Sequence, residues 1–134
     1  MKKKVLILCT GNSCRSIMAE ALINSKLGKC IEAESSGVKA SGRVNPNAQA
    51  LLELKGYWRD RYHSKVIETV LDTHFDLVVT VCDDARESCP LFPNAARTIH
   101  MGFEDPTGKA VEEYAITLNL IEKKLLGVIR KELC

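Results

Sequence analysis

The stretch Val5-Leu6-Ile7-Leu8-Cys9-Thr10-Gly11-Asn12-Ser13-Cys14-Arg15-Ser16 decides the fold. Residues 5–8 form a continuous apolar run without polar alternation, which predicts a strand buried on both faces. Thr10-Gly11-Asn12 breaks the run. Ile17, Ala21 and Leu22 then recur near helical spacing and Gly28 supplies a stop, which predicts a helix over 16–27. Outward from there, residues 31–36 read as a weaker strand ended by Gly37. Asn45-Pro46 opens a helix that carries Leu51, Leu52 and Leu54 and closes at Gly56. Residues 64–71 read as a short helix, and 77–81 (Leu-Val-Val-Thr-Val) as the second clear buried strand. Residues 96–101 read as another short strand. Residues 111–133 read as a long helix with Tyr114, Leu118, Ile121, Leu125, Val128 and Ile129 on one face. Strands alternating with helices predict an α/β fold, a four-stranded parallel sheet flanked by helices on both faces.

The chain has 134 residues, 46% hydrophobic and 27% charged, which suits a single domain over residues 1–134 with a core of its own. A formal net charge of +2 gives no argument for nucleic acid or an acidic membrane surface. The basic run Lys2-Lys3-Lys4 precedes an apolar stretch too short for a secretory signal, which needs about 7 to 15 apolar residues. No run approaches the roughly 18 residues of a membrane span. The expectation is a cytoplasmic, monomeric protein. Six cysteines are then a surplus, and in a reducing compartment they are more often free, catalytic or metal-bound than structural.

In parallel sheets, sites form in the loops beyond the carboxyl ends of the strands. The loops after the two clearest strands start at Cys9 and Cys82. In the first, Thr10, Gly11, Asn12, Ser13, Cys14, Arg15 and Ser16 supply successive N–H groups that a tight turn aims inward as an anion nest. The helix N-terminus adds positive potential, Gly11 and Asn12 tolerate left-handed backbone, and Arg15 offers a planar fork of donors. The same field favours a Cys9 thiolate, to which Ser16 can donate. The alternative is a structural strand-to-helix turn with a buried cysteine.

Cys82 and Cys89 stand seven apart in Cys82-Asp83-Asp84-Ala85-Arg86-Glu87-Ser88-Cys89-Pro90. Zinc, independent thiols and a redox pair are the readings. His63, His74 and His100 lack the spacing of a zinc site. If residues 83–88 are helical, the two cysteines lie about 10.5 Å apart along the axis. A disulfide needs Cα atoms within about 6.8 Å, so bonding would require unwinding. Asp105-Pro106, after the last strand, is either an ordinary turn or a carboxylic acid able to protonate a leaving oxygen.

Together these residues resemble the low-molecular-weight protein tyrosine phosphatase superfamily. The Cys9-to-Ser16 loop followed by Met18-Ala19-Glu20 is more similar to its thioredoxin-coupled arsenate reductase branch. The resemblance implies Cys9 as nucleophile, Arg15 as oxyanion binder and Asp105 as general acid. It further implies that Cys82 and Cys89 carry the oxidation away to thioredoxin, with no metal or organic cofactor. Some members bind potassium at residues matching Asn12, Glu20 and Ser35. Here Lys65 stands near a further acidic ligand's position, and its ammonium is the expected substitute. The rivals are a phosphatase using Cys9, Arg15 and Asp105, and a non-catalytic redox-sensing thiol protein. Thr107-Gly108-Lys109 after Asp-Pro lack the aromatic wall of the tyrosine phosphatases. Cys14 is expected to pack under the loop, Cys30 beside a strand, and Cys134 to be incidental, with structural bridges the least favoured account.

Overall fold

A computed structural model describes residues 2–82, 95 and 97–134. Four strands form one wholly parallel sheet in the order β2-β1-β3-β4. They are β1 (Lys3–Cys9), β2 (Ile31–Gly37), β3 (Leu77–Thr80) and β4 (Thr98–His100). Val5, Leu6, Ile7 and Leu8 have no exposed surface and all four residues of β3 are buried. Continuous apolar runs therefore occupy the two strands that share the centre of the sheet.

Helix α1 (Arg15–Lys26) crosses from β1 to β2, and α2 (Pro46–Lys55) follows. The start of α2 matches its sequence signals, because Asn45 Oδ1 accepts from the N–H groups of Asn47 and Ala48 at 2.9 and 3.3 Å. Gly56 ends it with φ 79°. The short helix expected over 64–71 is only a 3₁₀ turn, Ile67–Val70. The C-terminal rod is α3 (Val111–Ile121), a π turn (Glu122–Leu126) and α4 (Gly127–Leu133). Tyr114, Leu118, Ile121, Leu125 and Ile129 are buried along it, as the apolar stripe predicts.

Helix α1 buries three polar residues at four-residue spacing, Ser16, Glu20 and Asn24. Each is spent on the edge strand β2 or on the loop before α1. Asn24 accepts from the Ala33 N–H at 2.9 Å and donates to the Ala33 carbonyl at 3.1 Å, standing in for a neighbouring strand. Burying an amide is tolerable when its groups are paired.

The fate of Cys30 and Cys134 differs from expectation. They form a disulfide, with Cα atoms 6.2 Å apart across a sequence separation of 104. The turn after α1 brings Cys30 to the start of β2, and the rod packs on α1 and delivers Cys134 to the same end of the sheet. Cys134 is therefore not incidental, and one structural bridge exists.

Candidate active site

The chain leaves β1 toward β2 on one side, and later places β3 on the other. This makes the carboxyl ends of β1 and β3 a topological switch point, where crevices open in such sheets. Leu8 is in register with Thr80, and Val81 N–H donates to the Leu8 carbonyl at 2.9 Å. Cys9 and Cys82 thus emerge side by side. Both are buried, Cys82 Sγ lies 3.2 Å from Thr10 Oγ1, and the two thiols hydrogen-bond each other. Cys89 and the helix expected over 83–88 lie outside the described residues.

Between β1 and α1 the loop turns its carbonyls outward. The carbonyls of Cys9, Thr10, Gly11 and Ser13 accept from Val38, Lys39, Ser41 and Asn45 N–H groups at 2.8 to 3.1 Å. Ser64 Oγ also donates to the Gly11 carbonyl, at 3.1 Å. With the carbonyls tied back, the N–H groups of residues 11–14 have no protein acceptor among the described residues. They line a cavity of about 340 Å³ bounded by residues 9–15, Asp105 and Thr107. Helix α1 starts here with no side-chain cap. Unpaired N–H groups at a helix N-terminus are a ready seat for an oxyanion.

Asn12, not Gly11, takes the left-handed turn, with φ 48°. Its buried carboxamide accounts for the choice. Oδ1 accepts from Lys65 N–H at 2.8 Å, while Nδ2 donates to Ser16 Oγ and Ser35 Oγ at 2.8 and 2.9 Å. Ser16 Oγ is therefore held as an acceptor behind the loop, and Ser16 is not among the cavity-lining residues. Gly37, which reads in sequence only as a strand stop, has a steric role here. A Cβ built on it would meet the Thr10 carbonyl oxygen at 2.5 Å, so only glycine lets β2 approach the loop.

Arg15 reaches across to the β4 side. Nη1 donates to the Phe103 carbonyl at 3.1 Å and Nη2 lies 3.5 Å from Asp105 Oδ2. Its Nε is buried and has no hydrogen-bond partner among the described residues. A guanidinium held on one edge with a buried donor left over is set to take an acceptor from the cavity. Asp105 is shaped by Thr107, for which the sequence suggests no such role. The Thr107 N–H donates to Asp105 Oδ1 at 3.0 Å in the turn that short Asp side chains form.

Titration in the resting site departs from the expected Cys9 thiolate. The hydrogen bond with Cys82 and burial push the Cys9 thiol far above its ordinary range, outweighing the Arg15 charge and the Thr10 N–H. Cys82 acts on Cys9 through both a hydrogen bond and charge repulsion, so the two sulfurs titrate as a pair. Burial, with the Asp105 charge, pushes Cys14 up to about 12. Cys14 lines the cavity and interacts with Thr107 and Asp105 there, where the sequence suggests packing under the loop. Burial works to raise Asp105, but the Thr107 hydrogen bonds and the Arg15 charge prevail and hold its carboxyl below the usual range. Glu20, buried under the loop and accepting from Ser35 Oγ at 2.6 Å, is pushed up to about 7 by burial.

The residues expected at the site thus converge, except for Ser16 behind the loop and Cys89 outside the described residues. Asn12, Glu20 and Ser35 do form one cluster, but their donor set does not fit a cation. Asn12 turns its N–H groups toward Ser35, its oxygen is taken by Lys65 N–H, and the Lys65 ammonium acts on Glu20 while lying 3.7 Å from Glu34.

The family model described as low molecular weight phosphotyrosine protein phosphatase matches residues 4–133. The chain belongs to this family. An arsenate reductase of Brevibacillus brevis is 42% identical over 113 residues, covering 84% of each chain. Among solved structures, an arsenate reductase in the phosphate-binding state overlays with a TM-score of 0.81 at 28% identity. That match covers 97% of this chain and 98% of the other. A low-molecular-weight protein tyrosine phosphatase of T. tengcongensis also gives 0.81, at 29% identity, covering 97% and 99%. No helix among the described residues is long and apolar enough to cross a membrane.

Proposed function

We propose that this protein reduces arsenate to arsenite with a relay of cysteines, and that thioredoxin restores it. The observation that carries the reading is the contact of a second thiol, Cys82, with Cys9 at the floor of an oxyanion cradle. A phosphatase needs the cradle, Arg15 and Asp105 but has no use for Cys82.

Arsenate binds on the N–H groups of the loop, and Arg15 Nε supplies its free donor. The anion completes a site whose donors are fixed in advance, so little reorganisation opposes it. The Cys9 proton passes to an oxygen of the bound arsenate, the resulting thiolate attacks arsenic and forms an S–As bond, and an arsenate oxygen leaves as water with a proton from Asp105. Asp105 is ionised in the resting site, and negative charge on the bound oxyanion raises its affinity for that proton. Cys82 thiolate then attacks Cys9 sulfur. The S–S bond forms, the S–As bond breaks, and its electron pair stays on arsenic, which leaves as arsenite. Cys89 attacks Cys82, freeing Cys9, and thioredoxin takes up the Cys82–Cys89 disulfide. Weak hydrolysis of phosphate esters follows from the same cradle. In the cluster behind the loop the Lys65 ammonium serves in place of potassium, so potassium at constant ionic strength leaves the rate unchanged.

The test measures thioredoxin-coupled arsenate turnover and phosphate-ester hydrolysis in the parent, Cys82→Ser and Cys89→Ser. Both substitutions are expected to stop multiple turnover while ester hydrolysis survives. Sustained arsenate turnover by Cys82→Ser would overturn the relay.

A further inference from the structure

A cavity of about 830 Å³ opens at the other end of the sheet. Lys2, Lys26, Lys29, Arg59, Arg61 and Arg130 line it, against one acidic side chain, Glu32. The Cys30–Cys134 disulfide forms part of its wall, with Cys134 exposed. Some of the cations are spoken for. Lys26 lies 3.7 Å from Glu122 and over the Tyr57 ring, Arg59 donates to the Asn24 carbonyl at 3.4 Å, and Arg61 stacks on Tyr62. Lys2, Lys29 and Arg130 have no carboxylate partner among the described residues. A volume in the range of small-molecule sites, an excess of positive charge and a reachable disulfide define the chemistry of an occupant together. The charge selects an anion, and the disulfide selects a nucleophilic sulfur.

We infer that this cavity is a thiol-exchange site, where an anionic low-molecular-weight thiol docks and reduces the Cys30–Cys134 disulfide, independently of the reaction at Cys9. The thiolate of the small molecule attacks Sγ of Cys134, the more exposed residue of the pair. A mixed disulfide forms, the Cys30–Cys134 bond breaks, and Cys30 leaves as a thiolate that takes a proton from water. Attack by a second small thiolate on its own half of the mixed disulfide releases Cys134. Two small thiols are oxidised to their disulfide, and the protein gains two electrons and two protons. Nearby cations assist twice, by concentrating the anionic attacker and by stabilising Cys30 as the leaving thiolate.

The experiment exposes the air-oxidised full-length protein to mercaptosuccinate, 2-mercaptoethanol or cysteamine. Reduction is followed by mass spectrometry of the tryptic peptides that carry Cys30 and Cys134, which separates this pair from the other cysteines. Rates are normalised to the concentration of each thiolate. Mercaptosuccinate is expected to react about tenfold faster than neutral 2-mercaptoethanol at low ionic strength, and cysteamine slowest, with the spread collapsing in about 0.5 M salt. Lys29→Glu with Arg130→Glu, both on the surface, is expected to erase the order while the disulfide still forms. Equal normalised rates for the three thiols, an order that survives the charge reversal, or free Cys30 and Cys134 in the air-oxidised protein would each overturn the proposal.

Discussion

The two ends of the sheet treat cysteine in opposite ways. At the carboxyl end, Cys9, Cys14 and Cys82 are buried and take part in no disulfide among the described residues, held around a cradle of backbone N–H groups with one guanidinium. At the amino end, Cys30 and Cys134 are oxidised, partly open to solvent, and ringed by long flexible cations. The seven residues of β1 separate the two by about 20 Å. Both ends are positive, but the sources of their charge differ. Fixed backbone dipoles give geometry and therefore selectivity for a tetrahedral oxyanion. Lysine and arginine side chains on an open surface give attraction that salt screens, with little shape selection.

The largest effect expected from breaking this contrast is at Arg15. Arg15→Lys keeps the charge but removes the planar fork, including the buried Nε and the donation to the Phe103 carbonyl. Loss of one such fixed donor costs about 10²- to 10³-fold in turnover, so kcat/KM for arsenate should fall by that much. Reduction of the Cys30–Cys134 pair by mercaptosuccinate should not change. Activity of Arg15→Lys within a few-fold of the parent would mean that the cradle works by charge alone, like the other end.

A smaller effect is expected from the amino end. Cys134→Ser opens the 104-residue span closed by the disulfide, and loss of such a link typically costs about 2–4 kcal/mol. The urea midpoint of the oxidised protein should drop accordingly. Distant sites act additively to within a few tenths of a kcal/mol, so arsenate turnover at 25 °C should stay within about twofold. A large loss of turnover would show the two ends to be coupled.

How much of this was legible in the sequence follows from how local each feature is. The cradle was legible because a buried strand, a tight loop and a helix start are contiguous, and Cys9 and Arg15 fall inside them. The sheet was legible because uninterrupted apolar runs as short as residues 5–8 and 77–81 suit strands covered on both faces and little else. Cys30 pairing with Cys134 was not, since a contact across 104 residues depends on how the C-terminal rod packs on α1. The role of Gly37 was hidden for a similar reason, because the Thr10 carbonyl that excludes a side chain there comes from another strand end. The bond from Asn12 to Ser16 is not legible because it depends on Asn12 taking the left-handed turn and folding its carboxamide behind the loop. The upward pull on Cys9 is not legible because the sequence displays the helix end and Arg15 but not the depth of burial or the nearness of Cys82.

The Cys9–Cys82 contact yields the smallest and most discriminating test of the contrast. In the resting site, Cys9 ionises late because Cys82 shares its proton and then repels a second negative charge, with burial adding to both. Cys82→Ala removes the hydrogen bond and the repulsion, and leaves burial, Arg15 and the Thr10 N–H in place. The expected direction is a fall in the Cys9 pKa, and with it a larger thiolate fraction at any pH below it. Alkylation of Cys9 by iodoacetamide, followed on its own peptide across a pH range of about 6 to 9, should therefore begin at lower pH in Cys82→Ala than in the parent. Arsenate, by competing for the cradle, should protect Cys9 in both. An unchanged pH profile would mean that burial alone holds the proton on Cys9. The contact with Cys82 would then be a packing contact, and the carboxyl end would lose the coupling between its sulfurs that separates it from the amino end.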